Sequence, residues 1–224
     1  MIPYTLSRSK RKTVGLYVRN GSVEVRAPFK CPKAEIDKFV TSKENWIEDK
    51  LALSQERAAQ KKAFALNYGD AILLRGTRYP VVAKIGTKAG FDGEQFYLPP
   101  GLDPMRIKDT CIQIYRRLSK IHMTERVAAY SRQMGVTPTA VKITGAKTRW
   151  GSCSFRKNIN FSWRLIMADD DVIDYVVVHE LAHIKQMNHS QKFWAVVNDV
   201  LPDYKMRKTR LNDLQKRLAA EDWG

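Results

Sequence analysis

The stretch His179-Glu180-Leu181-Ala182-His183-Ile184-Lys185-Gln186-Met187-Asn188-His189 holds three of the four histidines of this 224-residue chain. On a helix, positions four apart share a face, so His179 and His183 present two imidazoles to one point. Neutral imidazole suits zinc, and two of them leave room for a third ligand and a water. Glu180, one residue beyond the first ligand, flanks that water as general base. His189 lies past the expected helix end, where a turn brings it back as third ligand. The expectation is one Zn2+ per chain, held by His179, His183 and His189.

A His-Glu-x-x-His stretch also arises on solvated helices, where it has no chemical role. The flanks oppose that reading. Ile173-Asp174-Tyr175-Val176-Val177-Val178 before the motif, and Leu181, Ala182 and Ile184 within it, are apolar almost all round. Such a helix is buried, and buried histidines and a buried glutamate need partners or a metal. The run Val176-Val177-Val178 also suits a strand, but a strand spaces His179 and His183 too far apart to share a metal easily. Asp171 followed by Asp174 reads as a capping-box-like start. A helix is expected.

The net charge is +16, and 44% of the residues are hydrophobic, five of them tryptophan. This is ample for a packed core of one sizeable domain, or of a catalytic domain with a smaller companion. No apolar run approaches the roughly 18 residues of a membrane span, and Met1 to Lys12 lacks the apolar centre of a signal peptide. Cys31, Cys111 and Cys153 are odd in number and far apart, which fits a reducing cytoplasm. The positive balance attracts anions and suggests non-specific nucleic-acid binding. It is spread along the chain, however, with no stripe of interleaved aromatics.

Along the chain, Thr13 to Val18 and Ser22 to Pro28 flank Asn20-Gly21, a strong hairpin signal. Residues from Asp37 to Lys61 carry a helical apolar period. Ala71 to Gly76, Tyr79 to Ala83 and Gln95 to Leu98 read as strands, with Gly76-Thr77-Arg78 as a turn. Pro99-Pro100-Gly101 marks the expected boundary between residues 1–103, β-rich with one helix, and residues 104–224, the catalytic region. A long helix over Met105 to Met134 ends at Gly135. Val141 to Thr144 and Asn158 to Trp163 alternate as strands. After the histidine helix, Ser190 to Leu201 and Tyr204 to Ala220 read as helices split by Pro202.

The order Arg149-Trp150-Gly151-Ser152-Cys153-Ser154, a strand, Asp174 to His183, Asn188-His189-Ser190, Phe193-Trp194 and Pro202-Asp203-Tyr204 resembles the YgjP-like zinc metallopeptidases. These are relatives of the SprT-like and minimal gluzincin-type proteases. The likeness extends over most of the chain and is most specific from Arg149 to Arg210. It implies an α+β fold with a zincin-like core, an active-site helix under a small sheet whose edge strand lines the cleft. It also implies that His179, His183 and His189 are ligands and Glu180 the base. The spacing from His179 to His189 is that of the metzincins, which carry glycine where this chain has Gln186. Asn188 tolerates a left-handed turn in its stead, and no methionine turn is evident, so the metzincin label is set aside.

Trp150-Gly151-Ser152-Cys153 is either a tight turn with Cys153 as apolar filler or one wall of the cleft, with Arg149 offering its guanidinium to substrate. A cysteine hydrolase would need a base for Cys153, and the remaining histidine, His122, is expected to pack on the long helix or its surface. The expected chemistry is hydrolysis of peptide bonds by a zinc-activated water, with Glu180 as base and zinc polarising the carbonyl. Tyr204 and Arg149 are candidates to meet the substrate, and an extended peptide is expected along the strand bearing Asn160. Two other readings stand beside this one. A metal-dependent nucleotide (phosphoanhydride) hydrolase lacks a visible glycine-rich phosphate loop. A nucleic-acid-associated protein with a structural zinc would need a fourth ligand.

Overall fold

The computed structural model describes residues 2–19, 21–86 and 88–223, without the side chains of residues 57 and 60–63. The fold is α+β and divides into two compact units. The smaller runs through Phe64 and takes in Leu218–Asp222; the larger is Ala65–Arg217 with Trp223.

In the smaller unit, β1 (Thr5–Ser9), β2 (Gly15–Arg19) and β3 (Ser22–Pro28) form one sheet in the order β1-β3-β2. β2 and β3 make the expected antiparallel hairpin, turning through Gly21 at φ +74°, while Asn20 lies outside the described residues. β1 pairs parallel to β3 and carries no signal of its own, since its sequence Thr-Leu-Ser-Arg-Ser is largely exposed. Along β3, Val23, Val25 and Ala27 point inward between Glu24 and Arg26, the period of a half-buried strand.

That face meets Ile36, Val40 and Ile47 of α1 (Lys33–Thr41) and α2 (Glu44–Ala63). The single helix expected from Asp37 to Lys61 is therefore broken. Ser42 Oγ donates to the Phe39 carbonyl, and the Lys43 amide donates to Val40, closing the first helix early.

The larger unit begins with a four-stranded sheet of β4 (Ala71–Leu74), β5 (Thr77–Ala83), β6 (Gly90–Phe91) and β7 (Phe96–Leu98), ordered β4-β5-β7-β6. The turn expected at Gly76-Thr77-Arg78 sits at Arg75-Gly76, both at positive φ. α3 (Pro104–Met134) starts where Asp103 accepts from the Arg106 amide and Pro104 takes the first turn; it stops at Gly135, φ +62°. The boundary expected at 103/104 lies inside this unit. Tyr115 of α3 donates to the Leu73 carbonyl of β4 at 2.7 Å and packs on Phe96 of β7, so sheet and helix share a core.

Next come β8 (Ala140–Thr144), β9 (Gly151–Cys153) and β10 (Asn158–Ser162) in the order β8-β10-β9, then a 3₁₀ turn, Trp163–Met167. β10 pairs parallel with β8 and antiparallel with β9, so it is the inner strand. An extended substrate cannot add to it, as was expected of the Asn158 to Trp163 strand, because both its edges are taken. β9, which reads in sequence as a turn or a wall, is an edge strand, as is β8 on the other side.

α4 (Asp170–Lys185), α5 (Gln191–Val200) and α6 (Tyr204–Leu218) complete the fold. α4 is buried on nearly every side, as its flanks predict. Its start is not a capping box: Asp169 occupies the cap without a side-chain bond. Asp174, nearly buried, instead accepts two hydrogen bonds from Arg126 and one from Tyr130 of α3. Arg75 binds Asp170, and Arg210 of α6 binds Asp169 and Asp171. Four carboxylates at a helix start suit the macrodipole, and arginines from three elements lock them in place. His122 lies 3.2 Å from Asp170 in this network. No described helix is long and apolar enough to cross a membrane.

Candidate metal centre

The last two turns of α4 carry the motif. His179 and His183 are one turn apart, with ring centroids separated by 5.0 Å. α4 ends at Gln186, whose extended backbone (φ −140°, ψ 103°) leads the chain off the helix axis. Asn188 does not adopt the left-handed conformation expected of it; its side chain accepts from the Ser190 amide, shaping the entry to α5. This turn carries His189 back, its ring 5.0 Å from that of His179 and 4.8 Å from that of His183.

The ligand atoms of the three imidazoles all lie within 4.8 Å of one another, and Nε2 of His189 is 3.1 Å from Nε2 of His179. Two ligands on a tetrahedral zinc with Zn–N bonds of about 2.0–2.1 Å stand about 3.3 Å apart. The donor set and this spacing fit zinc. Nδ1 of His183 lies 3.2 Å from the Gln186 carbonyl, an arrangement that puts the proton on Nδ1 and leaves Nε2 as the ligand atom.

Burial, followed by the charges of His183, His189 and Lys208, pushes His179 down to about 3; burial also lowers His183. Imidazoles held neutral are ready ligands.

Phe193 of α5, fully buried, supports all three rings from below, at 4.9, 4.6 and 4.8 Å from His179, His183 and His189. Trp194 stacks with both His189 and Tyr204.

Glu180 is only 5% exposed, and burial raises its carboxyl to about 8, with the charge of Arg149 pulling the other way. β9 runs against it. A β-carbon on Gly151 would meet Oε1 of Glu180 at 2.5 Å, so only glycine lets the strand come this close. Gly151 pairs with Phe161, Cys153 with Ile159 and Ser152 with Asn160. Alternation then sets Cys153 on the same face as Gly151, toward Glu180, and Ser152 and Asn160 on the opposite face. Cys153 feels that placement, its thiol raised by burial and by the Glu180 charge.

The site expected from sequence is thus assembled in part. His179, His183 and His189 come together; Glu180, next to His179 in α4, is buried and feels the charge of the exposed Arg149, and Tyr204 stacks with Trp194. Asn160 does not join them; its side chain donates to Ser152 Oγ at 3.3 Å.

Sequence does not single out Phe193, Trp194, Tyr175 and Lys208 as site residues, and it offers Gly151 only as part of a possible cleft wall. Tyr175, one turn before His179, is buried, and its hydroxyl is raised to about 12 by burial and by the Tyr204 and Glu180 charges. Its helical spacing from His179 is the one signal that points to it.

Residues 12–214 match the YgjP-like metallopeptidase domain. Among solved structures, the chain is similar to the metallopeptidase zymogen abylysin of Pyrococcus abyssi, with 22% identity over 44% of this chain and 97% of that one, TM-score 0.39. It is similar to the metallopeptidase zymogen jannalysin of Methanocaldococcus jannaschii to the same identity, over 42% and 95%, TM-score 0.37. No curated protein matches. The family match runs from the N-terminal hairpin through the histidine helix and into α6, so it takes in every residue of the metal centre, and the chain belongs to the YgjP-like metallopeptidase family, with the three-histidine site of a zinc hydrolase.

Proposed function

We propose that this peptidase holds its zinc through His179, His183 and His189, uses Glu180 as proton carrier, and takes an extended peptide along the free edge of β9. The observation that carries the reading is the convergence of three imidazoles, with the buried carboxylate of Glu180 next to the first of them in the helix. Zinc, when bound, supplies a Lewis acid that draws on the amide carbonyl and brings the acidity of water to about pH 7.

Glu180 accepts the proton that water gives up and hands it to the departing amine; its burial favours holding that proton. Gly151 admits the substrate-bearing strand to within reach of this carboxylate. Main-chain bonds from β9, whose outer side has no strand partner among the described residues, would hold the peptide in register. Arg149 and Tyr204 flank the cleft as substrate contacts.

The net charge of +16 supports a second property, non-specific association with nucleic acid. The three free cysteines support a reducing, cytoplasmic setting.

The test is zinc analysis followed by a panel of peptides and nucleotides, each beside Glu180→Gln. Zinc retained in that variant, with peptide cleavage down by about a hundredfold or more, is the expected result. Brisk cleavage of nucleotides, stopped by Glu180→Gln, with every peptide intact, would overturn the assignment.

A further inference from the structure

One wall of the metal centre comes from α6. Trp194 stacks with His189, 5.8 Å away at 28°, and with Tyr204, 5.3 Å away at 17°. Lys208 Nζ stands over the same indole, 5.2 Å from its centroid. Tyr204 and Lys208 are four residues apart, so α6 presents both to the cleft on one face.

The other cations of α6 that enter ion pairs are turned elsewhere. Arg207 binds Asp203, Arg210 binds Asp169 and Asp171, and Lys216 binds Asp213. Lys208 has no acidic partner among the described residues, and neither has Arg149 on the β9 side. An ammonium resting on an indole face keeps its N–H donors for another acceptor.

We propose that Lys208 is a specificity residue, receiving a substrate carboxylate beside the scissile bond, so that the cleft selects peptides carrying negative charge there. This rests on the peptidase reading. The carboxylate is either an Asp or Glu side chain or the free C-terminus of the substrate; the recognition chemistry is the same. A polyphosphate fits less well. The imidazoles sit at the C-terminal end of α4, where the helix dipole is negative, and phosphate cradles are built at helix N-termini. A single ammonium over the indole that stacks with His189 instead matches a single carboxylate.

The experiment uses peptides identical except for Glu, Gln or Lys at the residues flanking the cleaved bond, each with a free and an amidated C-terminus. Cleavage is measured with the zinc-loaded protein, and binding by calorimetry with the zinc-loaded Glu180→Gln protein. Acidic peptides are expected to exceed their Gln counterparts by about tenfold in both assays, a charge-assisted hydrogen bond's worth. That ratio should fall toward one in Lys208→Ala and invert in favour of lysyl peptides in Lys208→Glu. Loss of the preference on amidation assigns the carboxylate to the C-terminus; its persistence assigns it to the side chain.

An unchanged ratio in Lys208→Glu overturns the proposal. So does tighter binding of a nucleoside triphosphate than of every acidic peptide, lost in Lys208→Glu. If no peptide is cut, the peptidase reading fails by itself, and the binding arm still decides the role of Lys208.

Discussion

Gly151 and Glu180 are in such close apposition that a β-carbon on the glycine would lie 2.5, 2.7 and 2.8 Å from Oε1, Cγ and Cδ of the glutamate. The edge strand and the buried carboxylate therefore hold each other in place. Displacing a reacting group by about 1 Å costs on the order of a hundredfold in rate. Gly151→Ala is expected to keep zinc and fold but lose peptide cleavage by roughly ten- to a hundredfold. Wild-type kcat/KM in that variant would show that Glu180 has room to move without consequence.

Each imidazole has a separate expected weight in metal binding. His179→Ala and His183→Ala should abolish stoichiometric zinc. His189→Ala should weaken it while the protein stays folded, because Phe193 and Trp194 still close that face. Zinc held by the folded state alone should also raise the melting temperature, and a chelator at saturation should lower it. Full zinc occupancy in the His179→Ala, His183→Ala double variant would place the metal elsewhere.

Asp174 is close to buried and is held by Arg126 and Tyr130. Arg126→Ala leaves that carboxylate with one donor and should destabilise the protein by about 3 kcal/mol, within the range for breaking one side of a buried pair. Denaturant unfolding gives the measurement, and a change below about 1 kcal/mol would mean that the pair contributes little to anchoring α4.

The basic surface should bind DNA or RNA without regard to sequence. If several phosphates are neutralised, affinity should fall by on the order of a hundredfold or more between low and physiological salt, as counterions are released. A salt-independent affinity, or none at low salt, would remove nucleic acid from the list of partners.

Local geometry made much of this protein legible in its sequence. The pair His179 and His183 needs only the helical repeat to converge, and the apolar flanks of α4 declare a buried helix. The β2–β3 hairpin and the long α3 are similarly declared by turn chemistry and by Asp103, Pro104 and Gly135 at the ends of the helix.

What only the tertiary structure decided involves residues distant in sequence. β1 became a strand through parallel pairing with β3, and β10 became an inner strand because β8 and β9 took both its edges. His189 returned to the metal centre through an extended Gln186 and not a left-handed Asn188. The approach of Gly151 to Glu180, and the position of Lys208 over Trp194, have no periodic signature at all. Helical repeats and caps act between neighbours along the chain, whereas strand order and cleft walls are set by which surfaces pack after the chain has folded back on itself.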